Sequence, residues 1–472
     1  MMRRSAVALI DGEHYPAVVV DALRQSAERF DWKAALFLGG TEKIIAGDLE
    51  REAEALYGLP VVFDQDWARG LARVIAQFRP EVVVDLSDEP VLGYEQRFRL
   101  ISESLARDVG YVGPDFHFSP ASSARLCASP SLSIIGTGKR VGKTAISGYV
   151  ARVLQEVVTG RNGSSAVGPG SEGSPGVVIV AMGRGGPAEP EVIDGASAGL
   201  GVKDLLTWSR EGRHAASDHF EDAVLSRVTT VGCRRCGGGL AGRPFISNVA
   251  RGVELANSLN PGLIVLEGSG AALPPVGSDA RLLVAGAHQP AIHLSGYLGR
   301  YRLLTADAVV LTMAEEPMAS AEKVNEMLSA VREVRPGVTV VPVVLRPRPV
   351  EDVSGRRVAF FSTASGVMAG TFREFLEARW GCRVELFSTD LADRAALRAQ
   401  FATPAMARVD TVLTEIKAAA IDVVAEEAEA RGLPVVPVDN LPVEVDPAAP
   451  GRLEALVKEL AGVAVERFES RV

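Results

Sequence analysis

At 472 residues the chain is long enough for about three domains, and its 47% hydrophobic and 23% charged residues are ordinary globular usage. A formal net charge of -9 with no long basic run excludes general nucleic-acid binding, so any polyanion must be met by locally concentrated arginines and lysines. Four scattered cysteines, Cys127, Cys233, Cys236 and Cys382, exclude a disulfide framework and point to a reducing cytoplasm; the short apolar stretch after the basic start is no signal peptide or membrane span.

In chain order, residues 6–10 read as a strand, 16–29 as a helix and 33–38 as a strand ending in Gly39-Gly40. Residues 60–63 and 81–86 are further short β-branched runs. Such alternation implies parallel βαβ units, giving a smaller N-terminal α/β domain over 1–125. Prolines 114, 120 and 130 then punctuate a break. A second series follows: strand 132–135, a glycine-rich turn, and helix 144–157. Residues 159–176 are Gly/Ser/Pro-rich without an apolar face and predict a flexible surface loop before strand 177–181. Strands 262–266, 308–312 and 339–344 complete a P-loop domain over 126–345 with a mainly parallel sheet. Residues 346–352, Arg-Pro-Arg-Pro-Val-Glu-Asp, read as a linker. Strands at 358–362, 383–387, 411–414 and 434–438 then make an α/β C-terminal segment, 346–472, able to extend the core sheet.

The strongest local signal is Gly136-Thr137-Gly138-Lys139-Arg140-Val141-Gly142-Lys143-Thr144, running from an apolar strand directly into a helix. Phosphates need backbone N–H groups turned inward and a helix N-terminus aimed at negative charge. Residues Gly138, Arg140, Val141, Gly142, Lys143, Thr144 and Ala145 therefore form the expected nucleotide site. Lys143 would reach the β- and γ-phosphates and the Thr144 hydroxyl would ligate Mg2+. Thr137 stands where the usual pattern has its first glycine. A second metal ligand belongs at the end of a neighbouring strand, and Glu267, after four apolar residues and before Gly268-Ser269-Gly270, takes that role.

This loop with the later Glu-Gly-Ser-Gly resembles dethiobiotin synthetase and its relatives over the middle of the chain. A broader resemblance rests on further segments: Asp11-Gly12-Glu13-His14-Tyr15-Pro16, Met182-Gly183-Arg184-Gly185-Gly186-Pro187, Ser217-Asp218-His219-Phe220, Gly232-Cys233-Arg234-Arg235-Cys236-Gly237, and Thr414-Glu415-Ile416-Lys417. Together, from first strand to last segment, they resemble the cyclic 2,3-diphosphoglycerate synthetase family. The resemblance implies an ATP- and Mg2+-dependent ligase that joins two phosphates of one small anionic substrate into a cyclic anhydride, and it admits K+ as a second cation. On that reading Arg184, Arg234 and Arg235 clamp phosphate, Lys139 and Arg140 join Lys143 at the transferring group, and His14, His219 and Lys417 contact substrate. A cytoplasmic homo-oligomer, a dimer, is expected.

The alternative is a GTPase-like regulatory switch or metallochaperone. Guanine recognition usually needs an Asn/Lys-x-x-Asp element, which residues 311–317, Leu-Thr-Met-Ala-Glu-Glu-Pro, do not supply. The Cys233-x-x-Cys236 pair is read as buried thiols beside a tight glycine-rich loop, not as a metal site.

Overall fold

The computed structural model describes residues 3–44, 49–121, 124–160, 174–195, 200–201, 204, 207–208, 218–416, 421–446, 448 and 450–471. Lys417 and residues 161–173 of the expected flexible loop lie outside them. The fold is mixed α/β and divides into two compact units. One comprises Met1–Ser123, Pro290–Thr305 and Ala330–Pro336, the other Ala124–Gln289, Ala306–Ser329 and Gly337–Val472.

In the first unit the described strands are β1 (Arg4–Ile10), β2 (Phe30–Phe37), β3 (Val61–Phe63), β4 (Val82–Asp85), β5 (Gly110–Val112) and β6 (His117–Phe118), in the order β3-β2-β1-β4-β5-β6. All neighbours are parallel except β5 and β6. Ala6 through Ile10 are fully buried, as an unbroken apolar run in a parallel sheet requires. The helix expected to reach residue 29 stops at Gln25, where the Ser26 hydroxyl donates to the Ala22 carbonyl (2.6 Å) and the chain turns into β2. Asp11 and Glu13 precede that helix, which begins only at Pro16, and so bring no charge to its first turn. Asp11 is buried instead, and its carboxylate accepts the N–H groups of Glu13 (3.0 Å), His14 (3.2 Å) and Asp88 (2.7 Å). Part of the chain's middle third completes this unit: Ser102 donates to the Tyr297 carbonyl (2.9 Å) and Arg300 pairs with Glu103 (3.0 Å).

The second unit carries β7 (Ser131–Gly136), β8 (Val177–Gly183), β9 (Glu191–Ile193), β10 (Thr229–Cys236), β11 (Ile246–Ser247), β12 (Leu263–Glu267), β13 (Ala280–Gly286), β14 (Ala308–Thr312), β15 (Thr339–Pro349), β16 (Arg357–Phe361), β17 (Arg383–Ser388), β18 (Thr411–Thr414) and β19 (Val435–Glu444). Among the described residues they form one sheet, β11-β10-β8-β12-β7-β13-β14-β15-β19-β18-β16-β17, with β9 added beside β10. Strand alternation explains why the central strands are apolar throughout. Val177, Ile179 and Ala181 pack under helices Lys143–Val158 and Arg452–Glu469, while Val178, Val180 and Met182 pack under helix Val249–Ser258. The last helix buries Leu453, Leu456, Val457, Leu460, Ala461 and Ala464, an i, i+3, i+4 stripe, in that core.

The expected linker at 346–352 is corrected by the structure: β15 runs on to Pro349, antiparallel to β19 from Val343↔Glu444 to Pro349↔Val438. Two prolines fit this strand for a geometric reason. The Val350 N–H donates to the Pro437 carbonyl (3.0 Å), so N–H groups two apart from it face β19 and those of residues 347 and 349 would face away. Beyond Pro342 that far side has no parallel partner strand in the described ladder.

Close packing between helix Val249–Ser258 and β10 sets a testable constraint. A Cβ at Gly252 would stand 2.1 Å from Cys233 Sγ, so Gly252→Ala must displace the thiol or the helix. Gly252→Ala is expected to lose about 1–3 kcal/mol of stability. Adding Cys233→Ala should recover most of it in thermal or urea unfolding, and equal stability of Gly252→Ala and wild type would contradict this packing.

Candidate active site

In the second unit the glycine-rich loop, Arg184, Arg234, Arg235 and Glu267 lie at or just beyond the carboxyl ends of neighbouring parallel strands, where open α/β sheets bind ligands. Register makes this concrete: Glu267 ends β12 opposite Ile134 of β7 and Ala181 of β8, and Arg234 of β10 lies opposite Gly183 of β8. The glycine-rich loop, Glu267, Arg184 and Arg234-Arg235 thus share one edge.

The loop leaves β7 at Gly136 and enters helix Lys143–Val158 through Gly142, whose φ of +77° is left-handed. A side chain there would be strained, and its Cβ would stand 2.9 Å from Leu345 Cδ1 of β15. The Thr312 hydroxyl donates to the Val141 carbonyl (2.9 Å), fixing the turn from β14. The loop's other left-handed residue is Arg140, φ +60°, which is exposed like Lys139. Lys143 is 8% exposed and folds back so that Nζ lies 3.5 Å from the Gly138 carbonyl. A Cβ at Gly136 would stand 2.8 Å from Lys143 Cδ, so the glycine one position early gives the lysine its path. Thr137 is held instead, donating from its hydroxyl to Gln289 Oε1 (2.6 Å) and from its N–H to the Val284 carbonyl (3.1 Å).

Glu267 is 3% exposed, and its Oε2 has no hydrogen-bond partner among the described residues. A carboxylate oxygen orphaned at a buried strand end is costly unless something cationic meets it. With the Thr144 hydroxyl in the first helical turn, the donor set is hard oxygen and fits Mg2+. A cavity of about 20 Å3, room for one water, borders Thr144, Asp222, Asp439 and Asn440. The C-terminal segment therefore reaches the helix start through β19, a contribution that no local sequence signal announces. Asp439 is itself paired with Arg152 (3.0 Å) and Arg348 (3.0 Å).

The three arginines differ. Arg184 is exposed and Arg234 half-buried. Arg235 is turned inward: its guanidinium donates to the Gly237 carbonyl (2.7 Å), the Ser269 carbonyl (2.9 Å) and Ser269 Oγ (3.2 Å). Burial, then the charge of Arg184, hold its pKa below the usual guanidinium value. His219 is 2% exposed; its Nε2 lies 2.9 Å from Glu191 Oε1, and Gly232 leaves space for the ring, since a Cβ there would stand 2.5 Å from it. His14 sits in the first unit with Nδ1 2.8 Å from Asp11 Oδ1. Lys417 falls outside the described residues.

The two thiols of Cys233-x-x-Cys236 are not both buried as expected. They lie on β10, where residues three apart face opposite sides, so Cys233 is buried and Cys236 exposed. Three extended residues span about 10 Å, too far for joint ligation of one ion or a disulfide. Among the described residues no group of three or more His, Cys, Asp or Glu is placed to hold a metal. Sequence reasoning missed Gln289 and Thr312, which brace the loop from remote segments and carry no motif, and it gave Ser269 of the Glu-Gly-Ser-Gly run no task of its own.

A parallel sheet whose glycine loop delivers a lysine to a helix N-terminus beside a buried strand-end glutamate defines a P-loop nucleotide-binding enzyme. Three family models match in succession: the cyclic 2,3-diphosphoglycerate synthetase N-terminal domain over residues 5–119, its P-loop domain over 131–344, and its C-terminal domain over 349–441. The cyclic 2,3-diphosphoglycerate synthetase of Rubrobacter xylanophilus is 49% identical over 452 residues, covering 95% of this chain and 96% of that one. Those of Methanothermus fervidus (40%, 99% of both chains) and Thermococcus gammatolerans (46%, 93% of this chain and 94% of that one) are similar along nearly the whole length. The chain belongs to the cyclic 2,3-diphosphoglycerate synthetase family. Its relatives are named synthetases, so the regulatory switch or metallochaperone is not favoured.

Thiol chemistry tests the strand assignment. Burial pushes the Cys233 thiol up to about 12 and those of Cys127 and Cys382 up to about 11, suppressing their thiolates at neutral pH. Cys236 should therefore react first with a thiol reagent in the native protein at pH 8, and Cys236→Ser should abolish that fast phase. Rapid modification of Cys233, located by peptide mass analysis, would contradict its burial.

Proposed function

We propose that the chain is an ATP- and Mg2+-dependent ligase that closes 2,3-diphosphoglycerate into cyclic 2,3-diphosphoglycerate, releasing ADP and phosphate. One observation carries this reading: the Lys143 loop, the orphaned Glu267 carboxylate, the exposed Arg184 and the half-buried Arg234 stand on one sheet edge. A nucleotide site alone needs the first two, whereas two further guanidinium groups beside them suit an acceptor that is itself a phosphate.

The acceptor carries phosphates on adjacent carbons, which repel, so joining them needs activation and charge neutralisation. One substrate phosphate takes the γ-phosphoryl group from ATP, and ADP leaves. An oxygen of the other phosphate then attacks the substrate's own phosphorus in the activated group, forming the ring anhydride as the bond to the phosphoryl group taken from ATP breaks and that group departs as inorganic phosphate. Both groups stand on one three-carbon frame, which supplies proximity. Lys143 neutralises the transferring group, with Lys139 and Arg140 adding charge from the exposed side of the loop. Thr144 and Glu267 would hold Mg2+, which when bound offsets charge on the β- and γ-oxygens. Arg184 and Arg234 orient the acceptor; His219 and Lys417 are further substrate contacts on this reading. Lack of a guanine-reading element favours ATP over GTP. We assign the protein to the cytoplasm as a dimer, with K+ as an accessory cation.

Purified protein with Mg2+, ATP and 2,3-diphosphoglycerate should give a new cyclic anhydride signal in phosphorus NMR. Lys143→Ala should stay folded and lose at least about 10²-fold in kcat, since the lysine meets charge that develops during transfer. ATP turnover indifferent to the substrate would count against the ligase, and undiminished turnover by Lys143→Ala would remove the loop from the mechanism.

A further inference from the structure

The adjacent arginines of β10 point to different tasks, and Arg235 does not have the outlook of a substrate clamp. Its side chain crosses the end of β8, because the strand order is β10-β8-β12, and reaches the turn that follows β12. There it donates to both the carbonyl and the hydroxyl of Ser269, two residues after Glu267. That turn is tight: Ser269 and Ala272 exchange N–H to carbonyl bonds (3.2 and 3.0 Å), and Gly270 has a left-handed φ of +62°. On its other side Gly268 donates to the Ile134 carbonyl of β7 (2.9 Å), and a Cβ at Gly268 would stand 2.9 Å from the Ala272 carbonyl oxygen. Glu267 is thus gripped between the loop strand and a turn whose outer end is tied down by Arg235. A third donation, to the Gly237 carbonyl, ties the same guanidinium to the start of the glycine-rich hairpin.

We infer that Arg235 is a positioning residue for the metal: through Ser269 it fixes the Glu267 carboxylate at the distance the magnesium–nucleotide requires, while Arg184 and Arg234 are left to face the substrate phosphates. The inference rests on the proposed reading of Glu267 as a metal ligand. A guanidinium suits this task because its planar fork ties two segments at once, Nη1 donating to the Gly237 carbonyl while Nη2 holds the carbonyl and hydroxyl of Ser269, a span that the single nitrogen of an ammonium covers with poorer geometry. Outer partners of this kind tune metal affinity without touching the metal.

The test compares Arg235→Met, Arg235→Lys and Ser269→Ala with Arg234→Gln and Arg184→Gln. Binding of Mn2+ is followed by electron paramagnetic resonance in the presence of a non-hydrolysable ATP analogue, a readout independent of turnover. Arg235→Met should weaken Mn2+ binding about 10–100-fold. Arg235→Lys should recover part of the loss, and Ser269→Ala should shift binding the same way by less. The KM for 2,3-diphosphoglycerate should stay near wild type in these three and rise in Arg234→Gln and Arg184→Gln, whose Mn2+ binding should be unchanged. Mn2+ binding unaltered in Arg235→Met and Ser269→Ala, with a raised substrate KM in Arg235→Met, would overturn the inference and return Arg235 to the clamp. If Arg235→Met does not fold, unaltered Mn2+ binding in Arg235→Lys and Ser269→Ala has the same force. Failure of the ligase reading would appear separately, as absence of cyclic product in the wild type while the Mn2+ series still holds.

Discussion

The left-handed backbone at Gly142 is the constraint on which the site depends. It reverses the loop so that the next residue, Lys143, is already helical, and it lets β15 approach closely enough for Leu345 to pack where a side chain would be. A helix N-terminus has unsatisfied N–H groups and partial positive charge only if the chain arrives without capping it, and Gly142 offers no side-chain cap. The turn therefore leaves the helix end open to phosphate while the Thr312 hydroxyl and Leu345 keep it from relaxing.

Around that turn the sheet sorts charge. The chain is acidic overall, yet parallel strands place the ends of β7, β8, β10 and β12 side by side and bring Lys143, Arg184, Arg234 and Arg235 onto one edge. Cations gathered in this way repel, and the cost is visible at Arg235, whose affinity for its proton is lowered by burial and by Arg184. The protein lessens that repulsion by turning one guanidinium inward onto carbonyl oxygens and leaving Arg184 facing water. Glu267 contributes the opposite charge nearby, but one of its oxygens is unmatched among the described residues, so the balance is left for a bound cation to complete.

Much of the fold was legible because burial on both faces of a parallel sheet leaves a plain trace: short unbroken apolar runs. Strands read at 132–135, 308–312 and 411–414 fall on β7, β14 and β18 with ends shifted by a residue or less. The glycine loop was legible too, since strand, turn and helix follow one another locally. Reading failed where the partner was remote or composition misled. Arg-Pro-Arg-Pro looks like an extended linker, and only β19, about ninety residues away in register, reveals it as strand. The cysteine pair looked like one locus because spacing in sequence hides the alternation of a strand. Nothing near Gly136-Thr137 in sequence told that the displaced glycine clears a path for Lys143, or that Thr137 is engaged by Gln289. Segment 290–305, lying inside the middle third, packs with the first unit through Ser102 and Glu103, which neither periodicity nor composition foretells.

Strand β15 changes partners halfway: parallel to β14 through Pro342, antiparallel to β19 from Val343. One rod of main chain thus belongs to the nucleotide core at one end and to the C-terminal strands at the other, with Leu345 between them beneath Gly142. The last third of the protein is consequently no swinging appendage. Any tilt of β19 bears on β15, and through Leu345 on the turn at Gly142, so strain arriving at the far strands is felt at the glycine loop without a hinge to absorb it.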